Sequence, residues 1–177
     1  MNKQELEMLY DDADTEAFKK ARWVTLEEAN LLYTIAEEED PDFIFESGTA
    51  NGFSTMWMAL HGCDVYTFDP VSRPKVWDAE GQPSHVHYVE RSFSTMPDVA
   101  KHIHGKKMFF IDGLHTSQGV LNDIDAVKEV VQEGDVIVFH DLNDSHVVRF
   151  WDRMNDHASS SKTYLTKRII GKMVWGS

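Results

Sequence analysis

Four short apolar runs decide what this chain can become: Phe43–Phe45, Val65–Phe68, Met108–Ile111 and Val136–Phe139. Each is too short for a buried helix, and each lacks the apolar–polar alternation of a strand with one wet face. They read as strands apolar on both faces, which occur where a parallel sheet is covered by helices on each side. The segments between them carry helical signals. Thr25 and Glu28 have capping-box spacing, and Leu26, Ala29, Leu32 or Tyr33, and Ala36 then recur at helical intervals until Pro41 stops the pattern. Further helices are predicted over 52–62, 94–105, 116–134 and 143–157; in the third, Val120, Ile124, Val127 and Val131 share one face and Gly134 ends it. His85–Val89 is a more polar strand, nearer an edge. The segments 163–169 and 172–176, separated by Gly171, read as an antiparallel pair at one sheet edge. Repeated strand–helix units of this kind make a doubly wound α/β sheet.

The 177 residues amount to about one domain. Residues 25–177 are read as that domain, and residues 1–24, acidic and poorly periodic, as an N-terminal arm or loose helix. The Pro-containing stretch 69–84 is a long loop, and such loops in compact domains are often functional. The formal net charge is −13, from 17 basic and 30 acidic residues, and this argues against a nucleic-acid partner. The bases of the tail, Lys162, Lys167, Arg168 and Lys172, alternate with strand-like residues and read as the solvent face of a strand. With one cysteine, Cys63, no intramolecular disulfide can form, which fits a reducing compartment. No stretch approaches the roughly 18 apolar residues of a membrane span, and the start MNKQELEMLY lacks a signal-peptide core. A cytoplasmic protein without membrane partners is expected.

Two constellations carry chemistry. In the first, Glu46 ends a strand, Gly48 and Gly52 follow, and a helix begins; glycines there let the backbone approach a ligand beside unpaired helix N–H groups. The spacing is G-x-x-x-G, not the G-x-G-x-x-G of dinucleotide sites. The next strand ends in Asp69, a carboxylate able to accept both ribose hydroxyls of a bound nucleoside. In the second, Asp112 ends one buried strand and His140 and Asp141 end the next, side by side at the carboxyl edge where open α/β sheets bind ligands. Such a set suits a divalent cation, magnesium or manganese rather than zinc, with Asn143 or water completing the shell; the competing reading is a set of helix caps and hydrogen bonds. His115, in the loop after Asp112, is either a proton acceptor or a helix-entry histidine bonded to backbone. The pairs His85/His87 and His102/His104 lack a third ligand and read as surface decoration. Trp77 either stacks on a ligand or lies at the surface.

Glu46-x-Gly48-x-x-x-Gly52, followed by Asp69, resembles the first motifs of class I S-adenosylmethionine-dependent methyltransferases. The resemblance is strongest to small O-methyltransferases whose fourth strand ends in D-G-x-H and whose fifth ends in H-D, here Asp112-Gly113-Leu114-His115 and His140-Asp141. It implies a Rossmann-like, mostly parallel sheet of about seven strands with the last antiparallel. It also implies S-adenosylmethionine held by Glu46, Gly48, Thr49, Gly52, Asp69, Ser92 and Asp112, and often a divalent metal, held here by Asp112, His140 and Asp141. His115 and Asp112 would serve the chemistry, with His115 as the base. One departure is that the loop after the third strand usually reads G-D-S, whereas here it is Glu90-Arg91-Ser92, so the acid contact to adenine is not matched. The expected reaction is methyl transfer to an oxygen of a small molecule. The alternatives are a nicotinamide-binding oxidoreductase, disfavoured by the glycine spacing, and a catalytically silent nucleotide-binding or interaction module. A small enzyme with little lid makes a homodimer plausible, one subunit closing the site of the other.

Overall fold

Thr25 opens the first long helix as the capping spacing predicts: its hydroxyl accepts the Glu28 N–H at 3.2 Å and the Glu28 carboxylate accepts the Thr25 N–H at 2.7 Å. The computed structural model describes residues 1–12, 24–78 and 80–176. In chain order these form α1 (Lys3–Asp12), α2 (Leu26–Glu39), β1 (Phe43–Ser47), α3 (Phe53–Ala59), β2 (Asp64–Phe68), β3 (Val86–Val89), a 3-10 turn (Phe93–Thr95), α4 (Pro97–Ala100), β4 (Lys107–Ile111), α5 (Ser117–Lys128), β5 (Val136–Phe139), α6 (Ser145–Asn155), β6 (Ala158–Tyr164) and β7 (Ile170–Trp175). The strands make one seven-stranded sheet in the order β3-β2-β1-β4-β5-β7-β6. The first five run parallel, and β7 is antiparallel to both its neighbours. This is the doubly wound, Rossmann-like architecture with an antiparallel last strand.

The apolar runs divide between two faces as their period of two requires. Met108, Phe110, Val136 and Val138 pack with α2 and α3 on one side, while Phe109, Ile111, Ile137 and Phe139 pack with α5 and α6 on the other. The start of the chain is tied down: Leu6 of α1 is buried, and Tyr10 lies 5.5 Å, centroid to centroid, from the Phe53 ring. The rest of the predicted arm, 13–23, lies outside the described residues. Among the described residues no helix is long and apolar enough to cross a membrane.

Several boundaries differ from expectation for identifiable reasons. The helix predicted over 94–105 is only a 3-10 turn and one turn of α4 begun by Pro97. The helix at 116–134 stops at Lys128, because Asp135 takes the Gln132 N–H and Gly134 turns the chain with φ +88°. The closing hairpin is shifted. Its first strand is the serine-rich Ala158–Tyr164, which carries no apolar signal because it is an exposed edge. Gly171 lies within β7 rather than between strands: a Cβ there would collide with Leu142 and Trp151. Lys172 on β7 is not a solvent-face base but pairs with Glu39 of α2. Finally, the described residues of 69–84 form a loop as expected, but Trp77 in it is neither exposed nor free to stack on a ligand. It is buried over Gly52, where even a methyl group would collide with its ring.

Candidate functional site

The carboxyl ends of β1, β2, β4 and β5 are laced into one edge by backbone bonds. Gly48 N–H donates to Phe68 C=O, Asp69 N–H to Val89 C=O, Asp112 N–H to Ser47 C=O, and His140 N–H to Ile111 C=O. Backbone strain collects along this edge, with positive φ at Gly48, Ala50, Gly52 and Asp141, and non-glycine residues held there mark functional segments more often than chance. Gly48 is required by contact as well as by φ, because a Cβ would strike the carbonyl oxygen of Asp112. The glycine loop and the β4 end therefore touch backbone to backbone.

The expected cofactor residues divide into two groups. Asp69 is held in place by two backbone donors, Ala50 N–H at 2.9 Å and Val71 N–H at 2.8 Å, which fix the carboxylate and leave each oxygen a further lone pair. Gly48 and Gly52 line the loop, and Ser92 is exposed at the 3-10 turn, its hydroxyl accepting from Ser94 at 3.0 Å. Glu46 and Thr49, in contrast, turn inward. Glu46 is fully buried and accepts hydroxyl protons from Ser54, Thr55 and Thr67, so its side chain braces α3 instead of reaching a ligand. Burial dominates its ionisation: desolvation outweighs the three donors and raises the pKa to about 7. Thr49 is buried too, its hydroxyl bonded to that of Thr67 at 2.6 Å.

The second constellation assembles with one exchange of roles. One atom each of Asp112, His115 and Asp141 lie within 4.8 Å of one another, the set among the described residues able to hold a metal ion. His115 Nε2 stands 3.4 Å from Asp112 Oδ1 and 3.3 Å from Asp141 Oδ2, yet it is buried without an aligned hydrogen bond. A buried ring nitrogen facing two carboxylate oxygens fits a divalent cation between them. His140, expected as a ligand, does not join the set. Its Nδ1 is already shared between Asp112 at 2.9 Å and Asp141 at 3.0 Å, and its side chain is fully buried behind them. The His115 ring faces both carboxylates, as a metal ligand would, and not open space; contact with Asp112 raises its pKa, and burial opposes the rise. Burial works against the Asp112 carboxylate, but the charge of His140 and its contacts with His115 and His140 hold its pKa below the ordinary value. His140 is penalised by desolvation, yet Asp112 above all, with Asp141 and Glu28, raises it well above the usual range.

Three residues of this site escape a reading by motif. Glu28 Oε2 lies 3.4 Å from His140 Nε2, and its other oxygen accepts the Arg168 N–H at 2.9 Å. Arg168, on the turn before β7, brings Nε to 3.9 Å from Asp141. Asp123 of α5 accepts the Ser47 hydroxyl at 2.6 Å beneath Gly113, and burial raises its pKa to about 6. Only Glu28 left a signal: it shares the apolar face of Leu32 and Ile35. Of the histidine pairs, half-buried His85 bonds Ala59 C=O and His87 bonds Asp64, while His102 and His104 are exposed.

The fold is shared with known proteins. The chain superposes on an O-methyltransferase from Bacillus cereus in complex with SAH, with TM-score 0.69, 17% identity, and 98% of this chain and 92% of that one covered. It also superposes on TomG of Streptomyces achromogenes, an O-methyltransferase involved in tomaymycin synthesis, in complex with SAM, with TM-score 0.68, 16% identity and coverage of 98% and 89%. A methyltransferase from Geobacter sulfurreducens gives TM-score 0.74 at 12% identity, over 98% and 87% of the two chains. At these identities the likeness concerns the fold. No curated protein matches the chain. Residues 45–142, more than half of the sequence and spanning both constellations, match the family model described as a methyltransferase domain, and the chain belongs to that family.

Proposed function

We propose that the chain is an S-adenosylmethionine-dependent methyltransferase that places the methyl group on an oxygen of a small molecule, with magnesium or manganese held by Asp112, His115 and Asp141. One observation carries the reading. The loop that would cradle the methyl donor adjoins the carboxylate cluster that would hold the acceptor, because Gly48 packs directly on the Asp112 backbone. Transfer from a sulfonium is an in-line displacement, so the protein's main task is to hold two reactants in line. Asp69, with its orientation fixed by two backbone bonds, would accept the ribose hydroxyls, and the glycine loop and Ser92 would line the remainder. A bound divalent cation would polarise the acceptor hydroxyl and lower its pKa. Asp112 and Asp141 would orient that hydroxyl, and His115 would complete the donor set.

The oxygen-rich donors favour magnesium or manganese over softer metals. Oxygen as the acceptor atom is supported by the activities named for two of the similar structures. A net charge of −13 speaks against a nucleic-acid acceptor. The G-x-x-x-G spacing speaks against a nicotinamide enzyme, and a converged charged cluster against a silent module. A cytoplasmic homodimer belongs to the same proposal: Leu114 and Leu165, 68% and 87% exposed, are apolar surface near the site for an acceptor or a partner subunit to cover. Calorimetry with S-adenosylhomocysteine tests the core of the reading, and wild-type protein that fails to bind it would end the reading. Mn²⁺ should raise the melting temperature, EDTA should reverse the rise, and Asp141→Ala should abolish it.

A further inference from the structure

We propose that Glu28, a helix-capping residue, is also a positioning residue of the methyl-transfer site, holding the Asp112 and Asp141 carboxylates in place through the His140 ring. The inference rests on the metal-assisted reading above. A capping box needs only one bond from its glutamate, to the N-cap N–H, and such a side chain is ordinarily wet. Glu28 is instead 0% exposed, and it serves three segments at once. It takes the Thr25 N–H at 2.7 Å and the Arg168 N–H at 2.9 Å, and lies 3.4 Å from His140 Nε2. Removing a carboxylate fully from water is unfavourable unless a charged partner compensates, and helix capping alone does not require it. The compensating partner is His140, equally buried, whose opposite nitrogen spans Asp112 and Asp141.

The order of groups is therefore carboxylate, imidazole, paired carboxylates, with His115 on the far side of the pair and the Arg168 guanidinium beside Asp141. Among the described residues the ring packed against His140 is Phe110, at 6.1 Å, which offers Nε2 no acceptor. Without Glu28 that nitrogen would face apolar surroundings, the ring would lose its fixed orientation, and two like charges would lose their common donor. Partners of this kind behind metal ligands typically contribute tenfold to a hundredfold in metal affinity.

The experiment compares wild type with Glu28→Gln, His140→Asn, the double variant, and Thr25→Ala, which weakens the cap but leaves Glu28 beside His140. The readouts are Mn²⁺ affinity, S-adenosylhomocysteine affinity, melting temperature and the His140 imidazole ¹⁵N–¹H resonances of the metal-free protein. Glu28→Gln is expected to move the His140 resonances and weaken Mn²⁺ binding about tenfold or more, with S-adenosylhomocysteine affinity unchanged. The double variant should bind Mn²⁺ no worse than His140→Asn alone, the non-additivity of residues acting in series. Thr25→Ala should lower the melting temperature and leave Mn²⁺ affinity intact. Additive losses, or a Glu28→Gln protein that loses only melting temperature, would overturn the proposal. If the wild type binds no Mn²⁺, the metal reading fails by itself, and unmoved His140 resonances in Glu28→Gln would then overturn the role of Glu28 separately.

Discussion

Glu46 ends β1 inside the protein, where three hydroxyl donors stabilise its charge and complete burial opposes it. Burial wins, and the carboxyl titrates near pH 7 when folded against about 4.5 when unfolded. The native state therefore holds a proton that the unfolded chain releases between those values. This contribution to stability is fully present below about pH 4.5 and falls by about 3 kcal/mol as pH rises through 7. Urea unfolding of Glu46→Gln should lack that decline, and parallel stability–pH curves for the variant and wild type would refute the assignment. Asp69 lives at the same scale but faces the other way. Asp69→Ala should lower S-adenosylhomocysteine affinity roughly tenfold to a hundredfold, the worth of a charge-assisted hydrogen bond of about 1.5–3 kcal/mol, as read by calorimetry. An unchanged affinity would show that the ribose lies elsewhere.

The β1–α3 connection is a loop built by glycines and covered by an aromatic ring, Trp77, from the loop 69–84. Gly48 and Gly62 both have positive φ, +91° and +95°, but only Gly48 has a backbone carbonyl in the path of a Cβ; Gly62 has nothing within 4 Å. Gly48→Ala should thus lower the melting temperature and abolish S-adenosylhomocysteine binding. Gly62→Ala should cost only the conformational strain, about 1 kcal/mol, and leave binding intact. Equal effects at the two positions would refute the argument from contact. Trp77→Ala should destabilise by about 3–5 kcal/mol through the cavity it leaves over Gly52, a loss that chemical denaturation measures directly. A change below 1 kcal/mol would mean that the loop does not pack as described.

Across the whole molecule the buried charges pull stability in opposite directions with pH. Burial disfavours the Glu28 carboxylate, but its contact with His140 and the Thr25 N–H lower its pKa to about 2, so its contribution is present above about 4.5 and lost in acid. Glu46 and Asp123, raised to about 7 and about 6, contribute below the ordinary carboxylate range and lose it as pH rises. Thermal melts should therefore peak at about pH 4–5, where the Glu28 contribution is complete and those of Glu46 and Asp123 have only begun to fall, and a maximum above pH 7 would contradict the balance. The sequence by itself determined the sheet, because runs such as Met108–Ile111 are apolar at every position and only a strand buried on both faces uses that pattern. It also placed Gly48, Gly52, Asp69, Asp112 and Asp141 at strand ends, since chain order and a parallel sheet bring successive ends to one edge. Hairpin bounds were less legible, since an edge strand such as Ala158–Tyr164 buries too little to leave an apolar trace. Which side chains face the site was decided only by tertiary structure. Whether Glu46 turns inward, whether His115 or His140 joins the carboxylates, and whether Glu28 meets Arg168 all depend on contacts between residues far apart in the chain. Local spacing carries no record of such contacts, because the hydrogen-bond partners that select one rotamer over another arrive from other elements.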